Sequence, residues 1–302
     1  MTATPGDEHA ERFTALRPLL FTIAYEILGR ATESDDVLQE SYLRWAEVDL
    51  STVQDTKAYL AQLVTRQSLN ALRAQSRRRE DYVGPWLPEP LLLETKDAST
   101  DVVLAESVSI AMLVVLETLS PDERAVFVLR EVFGFSHDEI ASTIGKSASA
   151  VRQMAHRARE HVQSRRKRFE PVDPKLSMEL TTRFFSAAST GDVDGLLEML
   201  AEDVVWTADS DGKRSAARRP VLGAERVARV ILGMVRLAGE RGGRIEPAMY
   251  NNAPALKLYL GDSFEGIITV EITDGRISHF YAMRNPDKLS GVDIPRKISR
   301  SV

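Results

Sequence analysis

The chain has 302 residues, 43% hydrophobic and 27% charged, with a formal net charge of −5; that length predicts two or three globular domains rather than one. There is no cysteine, which excludes disulfides, thiolate metal sites and thiol nucleophiles. No apolar run reaches the length of a membrane span and the N-terminus lacks a signal-peptide pattern, so the expected location is the cytoplasm, with no membrane partner.

Residues 11–80 read as several helices. FTALRPLLFTIAYEILG spaces Leu16, Leu20, Ala24 and Ile27 as one helical face and closes on Gly29, a C-cap residue. ESDDVLQESYLRWAEV follows, with Ser34 expected as N-cap and Val37, Leu38, Tyr42 and Trp45 expected to face inward. TKAYLAQLVTRQSLNALRAQSRRR gives a third helix, whose Arg66, Arg73, Arg77, Arg78 and Arg79 meet no acid between them. The next stretch, DYVGPWLPEPLLLETKDASTD, carries Pro85, Pro88 and Pro90, which forbid regular helix and favour extended backbone. A linker of about 20 residues is expected here, docked through Trp86 and the apolar residues 91–93 rather than free.

From 102 to 169 the chain is helical again. Ser120-Pro121-Asp122-Glu123 and Ser136-His137-Asp138-Glu139 both read as capping boxes. A short helix over 136–143, a tight turn at Gly145 and a longer helix capped by Ser147 make a helix-turn-helix. Beyond Pro171 and Pro174 come two helices (178–188 and 193–201), a strand at VVWTAD, a helix over 224–238, and four strand-like segments: RIEPAMY, ALKLYL, FEGIITVEI and RISHFYAM. Asp274-Gly275 marks a hairpin turn, and the whole reads as an α+β domain with antiparallel strands.

Charge is unevenly placed. Residues 147–168 contain seven Lys/Arg and one acid, so an acidic chain concentrates cations on one helix and its tail, Arg165-Arg166-Lys167-Arg168. Val151, Ala155 and Ala158 share the face expected to pack on Ile140 and Ile144. The opposite face presents Ser149, Arg152, Gln153, His156 and Arg157, donors and acceptors suited to major-groove base edges and flanking phosphates. A solvated charged face is the bland alternative; capping, turn spacing and charge concentration together favour promoter-type DNA binding.

LETLSPDERAVFVLREVFGFSHDEIASTIGKSASAVRQMAHRARE resembles the C-terminal promoter-binding domain of extracytoplasmic-function (ECF) sigma factors. DDVLQESYLRW followed by TKAYLAQLVTRQSLNALRAQSRRR resembles their N-terminal domain, and the two blocks span roughly the first 170 residues. The resemblance implies a transcription-initiation factor whose partners are core RNA polymerase and promoter DNA. It implies that Asp36, Gln39, Glu40 and Arg44 dock on the polymerase clamp, and that Asn70, Arg73 and Arg77 capture the downstream promoter element and help separate its strands. Strand separation needs a pocket for an unstacked base; only Tyr59 is aromatic nearby, so the base-capturing residue stays unassigned.

The remaining chain extends beyond the usual end of such factors. MELTTRFFSAASTGDVDGLLEMLAEDVVWTADSDGK resembles the opening of SnoaL-like domains, cone-shaped α+β folds around a cavity, in which Phe184, Phe185, Leu196, Leu200 and Trp206 would line or seal the cone. The sigma subgroup with this extension carries three short signatures. WLPEP (86–90) and NPDKL (285–289) are intact here, and the DGGGK-type loop stands as Asp209-Ser210-Asp211-Gly212-Lys213. Asp203, Asp209 and His279 are the candidates for proton transfer of the kind enzymes of this fold perform, though they read more readily as a helix-end cap, a loop anion and a structural strand histidine, in that order.

The expected division is an N-terminal sigma domain (1–82), a Pro-rich linker (83–101), a helix-turn-helix sigma domain (102–170) and a SnoaL-like domain (171–302). The expected function is promoter-specific initiation modulated in cis, with Trp86, Leu87, Pro88, Asp209, Asp211, Lys213, Asn285, Pro286, Asp287, Lys288 and Leu289 making the internal contact. No catalytic residue, metal or cofactor is expected. The competing reading is a DNA-binding module fused to a small-molecule-binding or isomerase/cyclase-type domain, with an unknown ligand in its cavity; an open cavity with converging acids would favour it. Oligomeric state is left open.

Overall fold

The computed structural model describes residues 5–78, 81–94, 101–165 and 174–301. Helices α1 (Pro5–Leu28), α2 (Ala31–Trp45) and α3 (Thr56–Arg78) form the first helical unit. Leu20, Ile23, Ile27, Leu38, Trp45, Leu60 and Val64 are wholly buried between them. α2 begins earlier than its sequence suggests. Gly29, at φ +69°, turns the chain so tightly that the helix starts at Ala31, and Ser34 becomes an internal residue whose hydroxyl donates to the Arg30 carbonyl at 2.6 Å. The capping acceptor comes instead from the linker: Glu89 Oε2 accepts from the Thr32 backbone N–H (3.0 Å) and hydroxyl (2.8 Å), an anion at a helix N-terminus.

The second unit contains α4 (Val102–Ser107), α5 (Ile110–Leu116), α6 (Pro121–Phe127) running on into a π turn (Val128–Val132), α7 (His137–Ile144) and α8 (Ala148–Arg165). Both capping boxes form, at Ser120 and Ser136. Gly145 closes α7 in the left-handed region (φ 68°), and Ser147 Oγ accepts from the Ala150 N–H that opens α8 (3.2 Å). Val151, Ala155 and Ala158 are buried in one cluster with Ile140, and that cluster continues into α1, α2 and α3. The two helical units therefore share a core. Arg166, Lys167 and Arg168 lie outside the described residues.

The third unit runs α9 (Pro174–Thr190), α10 (Val193–Met199), β1 (Leu200–Asp209), β2 (Val221–Leu222), α11 (Ala224–Glu240), β3 (Gly243–Tyr250), β4 (Ala253–Leu260), β5 (Ser263–Thr273), β6 (Arg276–Met283) and α12 (Pro286–Leu289). The sheet order is β2-β1-β6-β5-β4-β3. Its strands are not all antiparallel: β1 lies parallel to β6, because the chain returns to the far edge by way of α11 and a β3–β6 meander. Asp274-Gly275 turns between β5 and β6 with both φ positive (51° and 72°), and Asn251-Asn252 does the same between β3 and β4 (52° and 58°).

Alternation along these strands sends one face into the cone with α9, α10 and α11 and the other toward the helical units. Phe184, Leu196, Leu200 and Trp206 fill the cone with Phe280 and Ile231. Tyr281, Met283 and Ile267 face the other way and pack with Leu87 of the linker, Ile110 and Ala111 of α5, and Leu289. This is an α+β, SnoaL-like domain whose outer sheet surface is covered by the rest of the chain. Among the described residues no helix is long and apolar enough to cross a membrane.

Candidate regulatory clasp and promoter-binding faces

β1 and β6 end side by side, with Asp209 opposite Met283. α12 follows at once, N-capped by Asn285, whose Oδ1 accepts from the Asp287 N–H at 3.1 Å. That geometry brings Lys288 back over the strand ends. Its ammonium donates to Asp209 Oδ2 (2.7 Å) and to the Leu87 carbonyl (2.7 Å), and lies 3.3 Å from the centroid of the Trp86 ring. Asp209 also accepts from the Leu87 N–H (2.7 Å) and from the Tyr82 hydroxyl, which in turn accepts from Asn285 Nδ2 (2.8 Å). The WLPEP linker is thus clasped between a strand-end carboxylate and a helix-borne ammonium, both shut away from water at 0% and 3% exposure.

Burial lowers the Lys288 ammonium to about 8 against the opposing pull of Asp209. Burial and then the Asp209 charge push the Tyr82 hydroxyl far up. At the clasp's rim Asp211 accepts from the Val83 N–H (3.2 Å), and Lys213 pairs with Asp211 (3.3 Å) and Asp287. Asp211 and Gly212 both adopt positive φ (49° and 67°). Aspartate is one of the few side-chain-bearing residues that tolerate this region, which is how the loop turns with one glycine. Leu87 and Leu289 share the apolar cluster beneath; Pro88 is buried, and Pro286 opens α12.

Sequence reasoning missed the neighbouring stitches. Leu91 and Asn251 bond reciprocally, the Leu91 N–H to Asn251 Oδ1 (2.7 Å) and the Asn251 N–H to the Leu91 carbonyl (2.8 Å). Asn251 Nδ2 also donates to the hydroxyl of fully buried Tyr25, which donates to the Glu89 carbonyl (2.7 Å for each). Arg30 pairs with Glu89 at 2.9 Å. Past α12 the tail returns to the first helical unit: Arg296 pairs with Asp35 (2.8 Å), its backbone bonds Leu92 and Glu94, and Ile298 enters the helical core. Leu43, 58% exposed on α2, is another omission. A leucine standing in water among polar neighbours was the available signal.

The residues expected to face DNA separate into two surfaces. On α8, Ser149, Arg152, Gln153, His156 and Arg157 are all exposed; Arg157 lies 3.5 Å from Glu123 and His156 3.7 Å from Glu160. On α3, Asn70 and Arg73 are exposed but turned to the second unit. Arg73 pairs with Asp122 (2.7 Å), while Arg66 donates to the Thr143 and Ser142 carbonyls (2.9 and 3.0 Å) at the C-terminus of α7. Arg77 lies on α3, its side chain outside the described residues. Asp36, Gln39, Glu40 and Arg44 form an exposed strip on α2, with Glu40 and Arg44 paired at 2.9 Å.

The three proton-transfer candidates do not converge. Asp203 is exposed at the start of β1, Asp209 sits in the clasp, and His279 bonds the Thr207 hydroxyl (2.9 Å) and stacks on Tyr281, a side chain of the sheet's outer face. Among the described residues no hydrogen bond or ion pair joins any two of them. The cone retains a cavity of about 70 Å³, bordered by Phe185, Ile231 and Leu258, with Glu265 held by Arg214 (3.2 Å) and Arg284 (2.9 Å).

The family "Sigma-70 region 2" matches residues 12–78, and "Sigma-70, region 4" matches residues 109–162. Over 289 residues the chain is 36% identical to the ECF RNA polymerase sigma factor SigJ of Mycobacterium tuberculosis, covering 92% of each. A second relative from that organism, "Probable ECF RNA polymerase sigma factor SigI", is 30% identical over 94% of this chain and 95% of its own. The crystal structure of M. tuberculosis SigJ superposes with a TM-score of 0.75 at 32% identity, over 94% of this chain and 99% of that one. Two helical modules of these kinds, in this order, define a sigma-70-type initiation factor. The chain belongs to the ECF RNA polymerase sigma factors. As such it binds core RNA polymerase and promoter DNA and confers promoter-specific initiation, with a SnoaL-like domain fused behind the helix-turn-helix.

Proposed function

We propose that the C-terminal domain of this cytoplasmic factor acts in cis as its own inhibitor, holding the two sigma domains closed until polymerase separates them. The boundaries are those read from the sequence, at 82, 101 and 170. Asp36, Gln39, Glu40 and Arg44 form the polymerase-binding strip, Asn70, Arg73 and Arg77 the downstream promoter face, and Ser149, Arg152, Gln153, His156 and Arg157 the helix-turn-helix reading face. The observation that carries the reading is the Lys288–Asp209 clasp on Leu87, which fixes the only covalent link between the two sigma domains. Further support comes from α3, whose Arg66 and Arg73 are engaged by α6 and α7 and so face protein rather than a promoter.

Catalysis and ligand sensing draw less support. Asp209 is fully engaged, His279 lies on the face away from the cone, and a cavity of about 70 Å³ falls well short of the roughly 300–1,000 Å³ of ordinary ligand pockets. The test is run-off transcription with core polymerase, comparing the full chain with one ending at Arg284. Higher output per bound factor from the shortened chain is expected; equal output refutes inhibition in cis.

A further inference from the structure

Where the C-terminal end of α1 meets the second sigma domain, Glu26 is buried at 0% exposure. Its Oε1 accepts from the Ser107 hydroxyl of α4 (2.7 Å), and its Oε2 meets no donor among the described residues. The nearest cation is Arg124 of α6, itself 1% exposed. Arg124 does not pair with the Glu26 carboxyl. Its Nε donates to the Glu26 main-chain carbonyl (2.9 Å) and its Nη1 to Glu117 Oε1, just past α5 (2.6 Å).

The other ionisable groups around this junction are already matched. Glu117 pairs with Arg124, Arg30 pairs with both Glu33 and the linker's Glu89, and Lys288 pairs with Asp209. Tyr25, beside Glu26 on α1, is neutral and hydrogen-bonded to Glu89 and Asn251. An ionised Glu26 would have no ion-pair partner among the described residues in a water-free site, a state that proteins avoid by keeping the proton. Two of the groups enclosing it, Ser107 and Arg124, belong to the second sigma domain, so the site is dry only while the two domains are together.

We propose that closing the two sigma domains loads one proton onto Glu26 and that engagement of core polymerase, by parting them, returns that proton to solvent. The bond that breaks on opening is the carboxyl O–H, with water or buffer as acceptor. Burial pushes the Glu26 carboxyl up to about 8 from 4.5, against the lowering influence of the Ser107 hydroxyl and the Arg124 charge. Between those limits a proton is held in the closed form and absent in the open one, so the open-to-closed ratio rises by up to about tenfold per pH unit. A factor tuned in this way joins polymerase more readily as pH rises through neutrality.

The inference rests on the reading that polymerase binding opens the chain, and the experiment separates the two. The full-length chain has no native cysteine, so Gln54→Cys and Ser164→Cys carry a clean pair of distance labels, one on each sigma domain. Core polymerase is then titrated with wild type, Glu26→Gln and Glu26→Leu at pH 6.5, by calorimetry in two buffers of different ionisation heat. All three should show the labels moving apart, and wild type should release about one proton more than either variant. Labels that part with equal proton counts overturn the assignment to Glu26. Labels that do not part overturn the opening reading, and the proton linkage with it.

Discussion

The Lys288 ammonium sits 3.3 Å from the centroid of the Trp86 ring and 2.7 Å from Asp209, with all three groups drawn from different parts of the chain. A desolvated cation over an indole contributes about 2 kcal/mol, and breaking a buried ion pair by removing one partner costs about 3–5 kcal/mol. Lys288→Met should therefore release the linker more completely than Trp86→Ala, while Lys288→Met with Asp209→Asn should recover part of the loss. Rates of proteolytic cleavage within residues 82–94 provide the readout. Equal cleavage of wild type and Lys288→Met would show that the pair does not hold the linker.

Asp122 accepts two cations, Arg73 at 2.7 Å and Lys146 at 3.1 Å. The pairs are partly exposed, so each contributes no more than about 1 kcal/mol. Asp122→Ala removes both pairs, so it should raise the open population by no more than about thirtyfold and leave promoter contacts intact. Arg73→Ala loosens the same contact, and if Arg73 serves the proposed downstream promoter face, promoter binding by the assembled holoenzyme should fall. Opposite signs in promoter occupancy distinguish a lock residue from a reading residue; the same sign for both would reject the dual role of Arg73.

On α8, Arg152 and Gln153 are exposed on the outer face, as is Arg157. A side chain that reads a base edge contributes about 1–3 kcal/mol of discrimination, whereas one that touches phosphate contributes salt-dependent affinity. Arg152→Ala and Gln153→Ala should relax sequence preference in the upstream promoter element. Arg157→Ala should weaken all sequences alike and lower the salt slope by about one. Holoenzyme binding to a library of upstream elements at several salt concentrations separates these behaviours.

The boundary between legible and illegible residues follows sequence distance. Ser120, Ser136 and Gly145 act on backbone within a few residues, so their capping and turning chemistry is visible in the local string. The clasp was legible only because its segments are recognisable motifs. Glu89 caps a helix 57 residues upstream, and Asn251 meets Leu91 across 160 residues; nothing near either residue specifies its partner. Ser34 misled for the same reason, since the carboxylate that replaced it as a cap comes from another segment. The parallel β1–β6 pairing was hidden too, because alternation reveals a strand but not its neighbour.

His279 offers a test on the other side of the sheet. Burial lowers its imidazole to about 4 from 6.5, so the folded domain excludes a proton that the unfolded chain accepts. Stability attributable to this group is complete above the unfolded value and is lost as pH falls from 6.5 toward 4, by roughly 3 kcal/mol in all. His279→Gln keeps a partner for the Thr207 hydroxyl and cannot titrate, so its denaturation midpoint should fall less over that interval. Glu26 works in the opposite direction, strengthening the closed form as pH falls from about 8. A Glu26→Gln, His279→Gln double variant should lose both dependences. If wild type and His279→Gln follow the same acid profile, the imidazole gains water in the folded state and its burial does not govern acid stability.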